Sequence, residues 1–174
     1  MATETKLRQL ADKGCPVYYF YSSERYLVRQ AVTAITRILT ADSDEDATVL
    51  DGAAPEIEQL IMAAGTISFF GTRRVVVLPE IDPAAYSDKD LEELNSTLSS
   101  LENAVVVLGS VFELERSKLK TGKRAQKLIA QCKALGYTEE LAKPKPFELK
   151  MMMIDRAKEQ KTTLPDGAAA ALLE

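Results

Sequence analysis

The chain has 174 residues, 46% hydrophobic and 28% charged, a balance that suits a globular fold with a core and excludes a disordered or fibrous one. Its net charge of −4 excludes a protein that coats nucleic acid over its whole surface, so any polyanion contact must come from a local patch. It contains no histidine, which removes the commonest general base near neutral pH and the commonest zinc ligand.

In chain order, the opening MATETKLRQLADKG lacks the apolar stretch of a signal peptide, and no later run approaches the roughly 18 apolar residues of a membrane span. Cys15 and Cys132 match no metal or redox spacing. A reduced cytoplasmic protein without a membrane partner is the expectation. Residues 17–21 form an apolar and aromatic run of strand length, and Ser23 is placed to cap a helix carrying Leu27, Ala31, Ile35 and Ile38 at helical spacing. The acidic stretch 42–46 reads as a loop and 47–50 as a second strand, ended by the turn pair Asp51-Gly52. Pro55 suits the first turn of a helix whose stripe is Ile57, Leu60, Ile61 and Ala64, with Gly65 as its stop.

Residues 74–78 and 104–109 are expected strands, and Leu91, Leu94 and Leu98 mark the helix between them. A helix with Ala125, Leu128, Ile129, Cys132 and Leu135 follows, stopped by Gly136, and 137–141 form a weaker fifth strand. Alternating strands and helices, with β-branched strands that show no polar face, imply a parallel five-stranded sheet flanked by helices on both sides. The composition changes at Lys143-Pro-Lys-Pro146, a short stiff connection. Two helical stretches follow, 147–160 and 165–174. The expected division is an α/β domain over 1–142 and the beginning of a helical domain, cut short, over 143–174.

Ligands of parallel α/β domains sit at the carboxyl ends of the strands, and the turn after the first strand is where a phosphate loop belongs. Here that turn is Tyr21-Ser-Ser-Glu24, with no glycine to let a phosphate approach and no lysine to meet its charge. Residues 117–124 resemble part of a phosphate loop through Gly122-Lys123, but have Ser117 where glycine is required and Arg124 where a magnesium-binding hydroxyl is required. A helix start with a basic face, formed by Lys120, Lys123, Arg124 and Lys127, is the better reading. That face is a candidate DNA contact or a plainly solvated surface. Asp51 is most simply a turn residue. No Ser/His/Asp or Cys/His set exists, and Glu92-Glu93 and Glu139-Glu140 read as solvated. No catalytic residue, metal ligand or cofactor is expected.

Between the second helix and third strand stands Gly65-Thr-Ile-Ser-Phe-Phe-Gly71, with Ile67, Phe69 and Phe70 where a polar connection belongs. Either the phenylalanines tuck under the sheet, or they form an exposed plug for a partner.

With Val17-Tyr-Tyr-Phe-Tyr-Ser-Ser-Glu-Arg-Tyr-Leu27, Thr48-Val-Leu-Asp-Gly52, residues 66–78, Pro144-Lys-Pro-Phe147 and Leu164-Pro-Asp-Gly-Ala-Ala168, the sequence resembles the delta subunit family of bacterial DNA polymerase III from Val17 to the end. Members often have a glycine near Ser22, a departure here. The resemblance implies an AAA+-like fold without ATPase activity, followed by a small helical lid domain. It also implies a non-enzymatic clamp-loader subunit that binds and opens the sliding clamp for loading onto primed DNA. Its clamp-binding element would be Ile67, Ser68, Phe69 and Phe70, entering a hydrophobic pocket of the clamp. The implied partners are the sliding clamp (beta subunit), the delta prime and tau/gamma subunits through a C-terminal part, and DNA in the assembled complex. The rival is a small-ligand or enzyme domain with its site on loops. A delta prime subunit is disfavoured, since the chain shows neither a cysteine-rich zinc segment nor the expected arginine motif.

Overall fold

The computed structural model describes residues 4–66 and 71–172. The chain divides into two compact units, one ending at Leu141 and one beginning at Ala142.

In the first unit, helix α1 (Glu4–Asp12) precedes strand β1 (Val17–Ser22), helix α2 (Arg25–Thr40) and strand β2 (Thr48–Val49). Helix α3 (Ile57–Gly65), strand β3 (Arg74–Leu78), a 3₁₀ turn (Pro83–Ala85), helix α4 (Asp88–Ser99) and strand β4 (Ala104–Val111) follow. A short antiparallel pair, β5 (Leu114–Glu115) and β6 (Lys118–Leu119), leads to helix α5 (Lys123–Leu135) and strand β7 (Tyr137–Glu140). The main sheet is entirely parallel, in the order β2-β3-β4-β1-β7. This is the expected five-stranded sheet flanked by helices.

The absence of a polar strand face has a direct cause. Val17, Tyr19, Val76, Leu78, Val106 and Leu108 face one buried layer, with Leu60 of α3, Leu94 of α4 and Leu128 and Cys132 of α5. The alternate residues Tyr18, Phe20, Val75, Val77, Val105 and Val107 face the other, with Leu7 and Leu10 of α1 and Leu27, Val28 and Ile35 of α2. Side chains alternate across a strand, so a sheet covered on both faces needs apolar residues at every position. Buried hydroxyls are paired: Tyr18 donates to the Leu10 carbonyl at 2.8 Å, and Tyr19 to Ser110 Oγ at 2.8 Å.

Several expectations are corrected. Helix α2 starts at Arg25 with Glu24 at its cap position and no side-chain cap, so Ser23 is not the cap; Ser22 Oγ accepts from the Glu24 N–H instead. Pro55 precedes α3, and its carbonyl accepts from the Tyr86 hydroxyl at 3.0 Å. Strand β2 is reduced to two residues, while β4 extends to Val111. Residues 117–122 do not begin a helix: Lys118 and Leu119 belong to β6, and α5 starts at Lys123. Lys120 therefore lies in the connection before α5.

The second unit contains helix α6 (Pro146–Glu159) and helix α7 (Asp166–Ala171). Pro146 starts α6, where its missing N–H costs nothing, and Glu148 reaches back to accept from the Lys145 N–H at 2.8 Å. Lys150 and Asp166 pair across the two helices at 2.6 Å.

Candidate functional site

Three places on the first unit follow from the sequence reading. The first is the carboxyl end of β1, which lies between β4 and β7 at the point where the strand order reverses. This is where open α/β sheets bind ligands. Here the chain passes from Ser22 to Arg25 in a tight turn. Ser22 is fully buried; its Oγ donates to the Leu141 carbonyl at 2.6 Å and accepts from the Glu24 N–H at 3.1 Å. The Ser22 carbonyl accepts from Phe112 N–H, and the Tyr21 carbonyl from Leu141 N–H, both at 2.8 Å. Arg25, in the first turn of α2, is held by Glu80 at 2.6 Å, with Arg29 at 4.0 Å from the same carboxylate. The turn offers a phosphate neither a glycine cradle nor a lysine. Asp51 stands exposed after β2.

The second place is the exit of α3. Ile67, Ser68, Phe69 and Phe70 lie outside the described residues. Their flanks are described. On α3, the helix that precedes this segment in the chain, Ile61 is 45% and Met62 73% exposed, a pair of large apolar side chains turned to solvent. A 550 Å³ cleft between α3 and α4 is lined by Ile61, Ala64, Thr66, Glu93, Thr97 and Leu101. On the far side of the segment, Gly71 adopts a φ of 69°, which a side chain would strain. Arg74 fixes the return into β3 through Glu45 at 3.3 Å and the Thr66 carbonyl at 3.4 Å.

The third place is the basic group. Lys120, Lys123 and Lys127 are exposed and Arg124 half-buried. Arg124 Nε donates to Asp88 at 2.8 Å, and its Nη1 to the Ala84 carbonyl at 3.4 Å; Lys127 pairs with Glu92 at 3.6 Å. The Arg124 guanidinium holds the Asp88 carboxyl below its usual range. A 410 Å³ cleft lies here, lined by Asp82, Asp88, Phe112, Lys120, Lys123 and Arg124. Lys120 and Lys123 thus keep unspent charge, whereas Arg124 and Lys127 are committed to α4 and the 3₁₀ turn. Sequence reading overlooked Arg116 and Lys118 because it took the segment as a helix start. Arg116-Ser117 has neither the glycine nor the asparagine that signals a tight hairpin, so no local cue marked it.

Among the described residues, no three His, Cys, Asp or Glu side chains group to hold a metal. No described helix is long and apolar enough to cross a membrane. The buried Cys132 thiol is pushed up to about 12 by desolvation, which suits a packing residue and not a nucleophile.

Solved structures share this architecture. The Bacillus subtilis DNA clamp loader delta protein (YqeN) matches with a TM-score of 0.63 at 24% identity, over 98% of this chain and 52% of its own. Domain III of the Thermotoga maritima replication initiation protein DnaA matches with a TM-score of 0.60 at 13% identity, over 98% of this chain and 74% of its own. Thermotoga maritima RuvB matches at 0.54 and 15% identity, over 98% and 54%. These likenesses establish an AAA+-like fold, and the chain spans about half the length of the Bacillus protein. No curated protein sequence matches it. The profile of the family "DNA polymerase III, delta subunit" matches residues 18–135, from β1 to the end of α5 and across both clefts, and the chain belongs to that family.

Proposed function

We propose that this chain is the clamp-holding arm of a clamp loader, which binds a sliding clamp and opens it for loading onto primed DNA without hydrolysing ATP itself. Ile67, Ser68, Phe69 and Phe70 form the plug that enters a hydrophobic pocket of the clamp, and α3 extends the contact. Family membership carries the reading, and the exposed Ile61 and Met62 on the helix that leads into this segment support it. Burying one phenylalanine contributes roughly 1.5–3 kcal/mol before association costs, so two can dominate a small interface. Binding opens a ring only through differential affinity, so the arm must hold the opened clamp edge better than the closed one. In the same reading, residues 143–174 begin a helical lid domain, and the delta prime and tau/gamma subunits assemble through a part of the protein beyond this chain.

The test is binding of the chain to its cognate clamp beside Phe69→Ala/Phe70→Ala. The expected result is a loss of affinity of about a hundredfold or more with folding unchanged. Failure of folded wild-type chain to bind would overturn the reading in favour of a small-ligand domain. The non-ATPase part rests on the glycine-free turn at Ser22, whose groups are already bonded. Mg-ATP is expected to leave the melting temperature unchanged, since a ligand of the native state would raise it.

A further inference from the structure

We propose that the β5–β6 hairpin and the approach to α5 form a contact surface for the DNA phosphate backbone, carried by Arg116, Lys118, Lys120 and Lys123. The inference deepens the clamp-loading reading and rests on it for the choice of DNA among polyanions. Three observations carry it.

The first is the distribution of charge. Residues 113–127 hold six cationic side chains and two acidic ones, in a chain whose net charge is −4. The second is how those charges are used. Arg124 and Lys127 are spent on Asp88 and Glu92. The acids that line the adjoining cleft are occupied too: Asp88 takes Arg124, and Asp82 accepts from the Ala84 N–H at 2.9 Å. Arg116, Lys118, Lys120 and Lys123 are all exposed and form no ion pair among the described residues. Glu115 stands opposite Lys118 in the hairpin register without pairing to it. Arg124 and Asp88 therefore cancel within the cleft, and the four exposed cations Arg116, Lys118, Lys120 and Lys123 stand against two exposed acids, Glu113 and Glu115, which leaves the surface net positive.

The third observation is the presentation. Arg116 and Ser117 occupy the two-residue turn at φ values of 48° and 66°, the left-handed geometry that matches strand twist in a tight hairpin. Leu114 and Leu119 face each other across its base, and Lys120 N–H closes on the Glu113 carbonyl at 2.8 Å. The hairpin follows β4 directly after the buried Phe112, which anchors its base to the first unit's core side. Lys123 opens α5, whose first-turn amides add to the positive field.

The experiment measures fluorescence anisotropy of a labelled primer-template oligonucleotide with the chain, between about 50 and 200 mM salt. The wild type is expected to bind with log K falling on log salt at a slope of about −3. Replacing Arg116, Lys118, Lys120 and Lys123 with Gln should weaken binding at least about tenfold and bring the slope close to zero. Arg124→Gln/Lys127→Gln should do much less. A charge-preserving variant, with Arg116→Lys and the three lysines changed to Arg, should bind like wild type and shows that charge, not fold, is read. Absence of salt-dependent binding by wild type, an unaffected fourfold Gln variant, or a larger loss from Arg124→Gln/Lys127→Gln would overturn the proposal. Each variant is also titrated with the clamp. DNA binding that persists in a chain unable to bind the clamp overturns the clamp reading and leaves this surface standing.

Discussion

After β1 the chain enters α2 through Ser23 and Glu24, and Ser22 ties that turn to Leu141 at the end of β7. After β4 it runs out into a hairpin whose cations form no ion pair among the described residues. Both exits lie on the carboxyl edge of one parallel sheet, where such folds place their ligand chemistry. The first turns its polar groups inward, onto neighbouring strands and onto Glu80. The second projects them outward on a scaffold anchored by Phe112. The same edge therefore has one closed exit, its polar groups already bonded, and one open exit, its cations unpaired among the described residues, because the chemistry lies in the connections and not in the sheet.

The largest test concerns the buried layers on which both exits stand. Burial raises Cys132, Tyr18 and Tyr86 each to about 12, from ordinary values of 9.0 for the thiol and 10.0 for the tyrosines. A folded value above the unfolded one means that stability is intact below pH 9 and falls as pH rises toward 12. Each group contributes up to about 1.4 kcal/mol per pH unit within its window. Urea midpoints measured from pH 8 to 11 should fall progressively; a flat profile would show these side chains to be less enclosed than described.

Gly109→Ala is expected to be the next largest effect. A Cβ there would collide with the Pro79 carbonyl oxygen and crowd Val28 Cγ1 beneath the closed exit. The cost should be about 3 kcal/mol or more, read as a fall in melting temperature. Ser22→Ala removes a buried hydroxyl that serves two partners and should cost about 1–3 kcal/mol in urea unfolding. At the open exit, exchanging Lys118, Lys120 and Lys123 for Gln should change stability by less than about 0.5 kcal/mol. A large loss there would break the comparison, since it would give the hairpin lysines a structural duty.

The amino-acid sequence by itself determined the sheet. Strands such as Val75-Val-Val77 and Val105-Val-Val107 are apolar at every position because both faces are covered, and that pattern is local. Helices α4 and α5 were equally legible from Leu91, Leu94 and Leu98 and from Ala125, Leu128 and Cys132. Helix α1 was not, because it carries only Leu7 and Leu10 as large buried residues and gains its place by packing on α2. The glycine-free turn was visible as composition, but its closure by Leu141, 119 residues away, was not. Phe69 and Phe70 stand out in the sequence and lie outside the described residues, whereas Ile61 belongs to the apolar stripe of α3 in the sequence pattern and is 45% exposed. Only tertiary structure decided which lysines and arginines of residues 116–127 are spent. Asp88 and Glu92 lie 36 and 35 positions from the partners they neutralise, and no local pattern reports a pairing made across two helices.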